Sequence, residues 1–207
     1  FSNNNFVNQL HLSANGGPAS ALADGWITFG IPVCAGLIYR DSVEVDELKH
    51  PMEVRQLSLI PGTGGAGRKR GAPAMVIDFV SKSENFTVIY PGDGEEYAPR
   101  GAAGGEDGTL AERWIYRKNG SKEKLGNAQE IKLGFGDMIR GVDCSGGGYG
   151  PAFKRDPKHV LEDVISGFET LKRAKNVYGV AIIKGLLPND FSIDKKLTLK
   201  LRKKQKN

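Results

Sequence analysis

The chain has 207 residues, 28 of them glycine, with 39% hydrophobic and 26% charged residues, which gives enough apolar material for a core and argues against wholesale disorder. No run approaches the ~18 uncharged apolar residues of a membrane span, and two cysteines, Cys34 and Cys144, are too few for a disulfide scaffold. The cytoplasm is therefore the expected compartment. The net charge of +5 comes from one end: residues 195–207 hold seven Lys and Arg and no acid, so the other 194 residues carry −2, which argues against a basic nucleic-acid-binding face.

The chain opens Phe1-Ser2-Asn3-Asn4-Asn5-Phe6, with neither Met nor a basic-then-apolar leader, which predicts a fragment or a processed product. Residues 12–36 are rich in Gly, Ala, Ser and Pro and predict turns and short extended pieces. Residues 43–49 predict one or two helical turns closed by Pro51. Strands are expected over Val54 to Ile60, Ala74 to Val80, Phe86 to Tyr90, Arg113 to Arg117, Gln129 to Leu133 and Asp137 to Val142, with residues 117–127 as a polar connector. Ser81-Lys82-Ser83-Glu84 between the second and third of these predicts a hairpin. Asp156 before Pro157 opens a helix, and Val160, Leu161, Val164, Ile165, Phe168 and Leu171 continue one apolar stripe toward Lys172, Arg173 and Lys175. Gly179 ends that region before the strand-like Val180 to Ile183. A short helix is expected from Asp194, with Leu197 and Leu201 four apart. If the basic tail is only a solvated end, deleting residues 195–207 leaves assembly and activity largely intact.

Gly62-Thr63-Gly64-Gly65-Ala66-Gly67 satisfies GxGxxG, but Arg68-Lys69-Arg70-Gly71-Ala72-Pro73 follows where a phosphate cradle needs a helix. The segment is therefore expected to be a glycine turn whose three cations hold a carboxylate or a partner's acidic face. Gly146-Gly147-Gly148-Tyr149-Gly150-Pro151 is the densest glycine run. Its embedded aromatic favours a packed, shaped loop over a flexible linker. His159 and Glu162 stand three apart on the capped helix without a second such pair, so His159 is expected at the surface and no metal is expected in this chain. Cys144 has no histidine near it in sequence, which weakens a nucleophile there.

Several of these segments, taken together, resemble the C-terminal region of the hydantoinase B/oxoprolinase family. They are Asn15-Gly16-Gly17 with Asp24-Gly25, Val43-Glu44 ahead of Pro51, Gly64 to Gly71, and Pro99 to Gly105. The most specific run is Ser145 to Gly150, then Arg155-Asp156-Pro157, Val160 to Val164, Gly167 and Tyr178-Gly179-Val180. The resemblance implies an α+β fold, with a β-rich glycine-loop domain over residues 1–150 and a C-terminal helical appendage with a basic tail over 151–207. It implies the C-terminal part of a much longer B-type subunit, working with a hydantoinase A-type ATPase subunit on hydantoins, lactams or 5-oxoproline. ATP and a divalent metal are implied for the full complex and no cofactor for this chain, because the metal ligands of related carboxylases lie in the N-terminal part. The loops implied to bind substrate or partner carry Glu44, Arg68, Gly146, Gly147, Gly148 and Tyr149. Catalytic residues, nucleic acid and membrane are not implied. Ser145, Pro151-Ala152 and Asp41-Ser42-Val43-Glu44 depart from the usual family pattern, which leaves the fold expectation standing but transfers no particular substrate. The rivals are a piece of an ATP-dependent acetone- or acetophenone-type ketone carboxylase and a non-catalytic assembly subunit.

Overall fold

A computed structural model of the chain describes residues 16–27, 42–89, 94–126 and 129–204. The expectations for His11, Cys34, Gly30-Ile31-Pro32, Asp41 and Tyr90 lie outside these residues. Helix α1 (Val43–Lys49) is capped by Ser42, whose hydroxyl accepts the Val45 N–H, and leads into β1 (Met52–Leu59). Glu47 Oε1 accepts the Val54 N–H at 2.7 Å and ties the two together. Then follow β2 (Met75–Ser81), β3 (Phe86–Ile89), β4 (Glu112–Tyr116), β5 (Lys122–Lys124), β6 (Glu130–Leu133) and β7 (Met138–Val142). Next come a short 3₁₀ turn (Ala152–Lys154) and helices α2 (Pro157–Ile165) and α3 (Leu171–Asn176). Strands β8 (Ile182–Lys184) and β9 (Phe191–Ile193) and helix α4 (Lys195–Lys204) complete the order. Among the described residues no helix is long and apolar enough to cross a membrane.

Five strands form one antiparallel sheet in the order β1-β2-β7-β4-β5, and β3 pairs with β6 as a second, two-stranded sheet. Burial alternates along β4, β6 and β7, the signature of a sheet with one face on a core. That core joins Met52, Ile77, Phe79, Ile115, Leu125 and Ile139 to Ile131 and Leu133 of the second sheet, with Phe86 and Val88 packed at its edge. A second cluster sets Val160, Ala174, Tyr178 and Val180 around Ala66 of the glycine turn. Packing therefore crosses residue 150 rather than stopping there.

Two expectations of element arrangement are corrected. The strands at 74–80 and 86–90 do not form a hairpin. At the end of β2 the Ser81 N–H donates to Asp137 O and the Lys82 N–H to Pro51 O, so the backbone groups a hairpin would use are spent on other segments. The nearly wholly buried β2 takes a central position in the large sheet, while β3, half-buried on one face, crosses to β6. The helix beginning at Pro157 is also two helices. After Ile165 the Gly167 N–H donates to Val164 O and the Phe168 N–H to Asp163 O, with Gly167 at φ +74°. This is a Schellman stop, which requires a residue at ease in the left-handed region. Thr170 then caps α3. The short helix expected from Asp194 is α4, and it is fastened to the fold. Asp194 Oδ1 accepts the Leu197 N–H, Thr198 is buried with its hydroxyl taking the Ala181 N–H, and Arg202 donates to Tyr178 O and Arg155 O.

Candidate functional site

Four glycine-bearing segments, 16–27, 62–74, 99–109 and 144–151, meet in one backbone-to-backbone core. Gly16 N–H donates to Cys144 O, Gly65 N–H to Gly146 O, Gly146 N–H to Ala72 O and Ala19 N–H to Gly147 O. Gly148 N–H donates to Glu106 O and Ala102 N–H to Gly148 O, while Lys69 and Tyr149 exchange both of their backbone bonds at 3.0 and 2.8 Å. Chains this close leave no room for a side chain. A Cβ on Gly146 would strike the carbonyl of Gly17, and one on Gly147 the carbonyl of Arg100. The run at 146–150 is thus a packed loop, and a flexible linker is excluded.

The GxGxxG segment is no phosphate cradle. No helix follows it, and two of its N–H groups are already taken, Gly62 by Phe168 O and Gly65 by Gly146 O, as is that of the next residue, Arg68, by Gly150 O. Without a helix N-terminus after the turn, the segment lacks the array of aligned N–H groups that such a phosphate site uses.

Charge locks this core to the C-terminal helices. Arg155, 2% exposed, grips Asp24 with both terminal nitrogens, Nη1 to Oδ1 at 2.7 Å and Nη2 to Oδ2 at 2.8 Å. Its Nε donates to Asp163 Oδ2 at 2.9 Å, and Arg70 Nε donates to Asp163 Oδ1 at 2.7 Å. Burial pushes the Asp24 carboxyl up, but the hydrogen bonds and charge of Arg155 and the Arg70 N–H outweigh it and hold the group below its ordinary value. Arg173 bridges Glu169 and Glu106 and donates to Gly64 O. Burial raises the Glu169 carboxyl above its ordinary value despite the facing Arg173.

Of the residues singled out from sequence, the structure brings together Arg68, Gly146, Gly147, Gly148 and Tyr149. Gly146 to Gly148 are interior, and Tyr149 is half-buried with the exposed Arg68 guanidinium 6.0 Å from its ring centre. Arg68 Nη2 also donates to Ala21 O at 3.1 Å. Of the three clustered cations, Arg70 is consumed by Asp163. Glu44 stands apart: it is exposed in the first turn of α1, which packs on β1, and its carboxylate accepts hydrogen bonds from its own backbone N–H and from Ser42. Sequence reasoning missed Asp24, Arg70, Arg155 and Asp163 as a set. Each lay in a quoted motif, but their pairing joins residues as far as 131 positions apart. His159 is exposed on α2 and Cys144 is buried. Among the described residues no group of three or more His, Cys, Asp or Glu is placed to hold a metal ion. The arrangement builds a close-packed surface around Arg68 and Tyr149.

The family model described as hydantoinase B/oxoprolinase matches residues 1–152. The chain is 29% identical over 185 residues to the beta subunit of the caprolactamase of Pseudomonas jessenii, covering 87% of this chain and 32% of that one. It is 32% identical over 167 residues to the B-type component named for a putative D-/L-hydantoinase of a Pseudomonas species, covering 78% of this chain and 26% of that one. Two solved structures share its fold. A crystal structure of ATP-dependent caprolactamase from Pseudomonas jessenii superposes with a TM-score of 0.72 at 24% identity, covering 93% of this chain and 33% of that one. A nucleotide-free acetone carboxylase gives 0.74 at 19%, covering 94% and 30%. Both agree with the α+β reading. The chain spans about a third or less of the length of these relatives.

Proposed function

The chain belongs to the hydantoinase B/oxoprolinase family, and from that premise we propose that it is the C-terminal portion of the B-type subunit of an ATP-dependent cyclic-amide hydrolase. Its substrate class is a hydantoin, a lactam or 5-oxoproline. Its role is to shape one wall of the shared site and to dock the hydantoinase A-type ATPase subunit and the N-terminal part of the B-type subunit. ATP and a divalent metal belong to those other parts of the assembly, which works in the cytoplasm.

The observation that carries this role is the close-packed glycine core. Its segments are hydrogen-bonded to one another through their backbones and packed too closely for a side chain, so it holds a fixed shape. What it presents outward is the Arg68 guanidinium beside Tyr149, a donor fork suited to a carboxylate or a polarised amide oxygen. The segment over it, 16–27, exposes Leu22 and Trp26, apolar side chains of the kind that serve as docking anchors. A structural wall carrying an exposed cation positions a substrate and excludes water from one side, without itself moving a proton.

The test is to purify the chain from its source with whatever it binds, and to assay ring opening of hydantoin, caprolactam and 5-oxoproline with ATP. The complex is expected to turn over at least one of them and the isolated chain none. Turnover by the isolated chain, or the absence of any associated ATPase subunit, would overturn the proposal. ATP hydrolysis that depends on bicarbonate and a ketone would assign the assembly to carboxylation instead.

A further inference from the structure

Two Asn-Gly pairs stand in the sequence, Asn15-Gly16 and Asn119-Gly120, and the fold treats their glycine nitrogens in opposite ways. Gly16 is buried in the glycine core. Its N–H donates to Cys144 O at 3.0 Å, and the backbone of Ala72, Pro73 and Gly146 closes around it. Gly120 lies at the exposed tip of the β4–β5 hairpin at φ +87°, with nothing within 4 Å of the place a Cβ would occupy. Asn119 beside it is exposed, and its Oδ1 accepts the Ser121 N–H at 2.9 Å.

We infer that Asn119 is a site of covalent modification, deamidating spontaneously by cyclisation onto Gly120, and that burial of the Gly16 nitrogen withholds it from the same reaction at the other pair. The Gly120 nitrogen loses its proton to hydroxide and attacks Asn119 Cγ. The side-chain nitrogen leaves as ammonia, and a five-membered succinimide closes. Water then opens the ring at either carbonyl, leaving aspartate or isoaspartate, so the balance is one water consumed and one ammonia released. Three features favour the reaction at this tip. No side chain on residue 120 hinders ring closure. The Ser121 N–H points at the oxygen on which negative charge develops, the placement of an oxyanion donor. The Gly120 N–H is held by a turn bond to Arg117 O at 2.9 Å, next to a three-residue edge strand whose residues are all exposed, so the opening that frees it is a small local one. At Gly16 the corresponding opening must break the core itself.

The product brings a carboxylate to a cleft already lined by Glu84, Glu123 and Lys118. An isoaspartate would also add a backbone atom between β4 and β5 and loosen their pairing.

The experiment is to hold the folded full chain at 37 °C at pH 7 and pH 9 and follow it by peptide mapping, with isoaspartyl-methyltransferase labelling to detect the isomer. Because a reaction through an opened state follows the population of that state, the Asn119 peptide is expected to gain one dalton at least about tenfold faster than the Asn15 peptide. The gain is expected to be faster at pH 9. In concentrated guanidinium the two rates should converge, and Asn119→Gln should abolish the gain at its own peptide alone. An Asn119 peptide unchanged at pH 9, or equal rates at the two sites in the folded chain, would overturn the inference.

Discussion

Arg155 joins three parts of the molecule at one guanidinium, with Asp24 on one side, Asp163 on the other and the carbonyl of Arg68 at 3.3 Å. Removing it leaves Asp24 without its cation and Asp163 with Arg70 alone, a loss of about 3–5 kcal/mol for breaking a buried pair. Arg155→Ala is therefore expected to lower the urea midpoint severely, and Arg155→Lys to restore little of it, because an ammonium cannot reproduce the two-pronged grip on Asp24. The same contact sets an acid limb. The folded Asp24 carboxyl lies below its ordinary 3.8, so its contribution is complete above that pH and is lost as pH falls through the lowered value. Urea unfolding between pH 5 and pH 2 should show a shallower loss in Asp24→Asn than in the parent. Gly146→Ala tests the core at another atom. The new methyl meets backbone, which cannot swing aside, and should cost about 3 kcal/mol, the upper end of overpacking.

At the scale of elements, boundaries followed local rules, whereas partners did not. Helix α1 matched its predicted span, and α2 began at Asp156-Pro157 as capping chemistry requires. The apolar stripe through Phe168 and Leu171 continued across a chain reversal because the period of hydrophobic residues carries no record of a left-handed glycine. Gly167 has open space around it, so Gly167→Ala faces only the left-handed penalty, about 1–2 kcal/mol. The expected outcome is a lower melting temperature with unchanged helical circular dichroism. A gain in helicity would mean that α2 and α3 can fuse.

Helix α4 bears on the whole molecule. Thr198 and Arg202 fasten it to Ala181, Tyr178 and Arg155, and through Arg155 to Asp24 near the other end of the described chain. Truncation after Asp194 should therefore lower the melting temperature by roughly 5 °C or more, the size expected for losing a few hydrogen bonds in a domain this large. A truncated chain that melts with the parent would show that the lysine-rich helix contributes nothing to the fold.

Much of the protein was legible residue by residue. Most of the strands, the capped helices, the close-packed glycine run and the family resemblance follow from patterns a few residues long, because alternation, capping and the missing Cβ of glycine act locally; the three-residue β5, within the expected polar connector, and β9 were not legible. The candidate site was legible only in part: Arg68 and Tyr149 could be singled out as polar and aromatic groups set in glycine loops, but Glu44 lies apart on α1. Closure of the chain chose β6 for β3, sent Arg155 to Asp24 across 131 positions, took Arg70 out of the basic cluster and buried one Asn-Gly glycine while exposing the other. Those choices depend on which distant surfaces bury each other, and no short stretch of sequence carries that information.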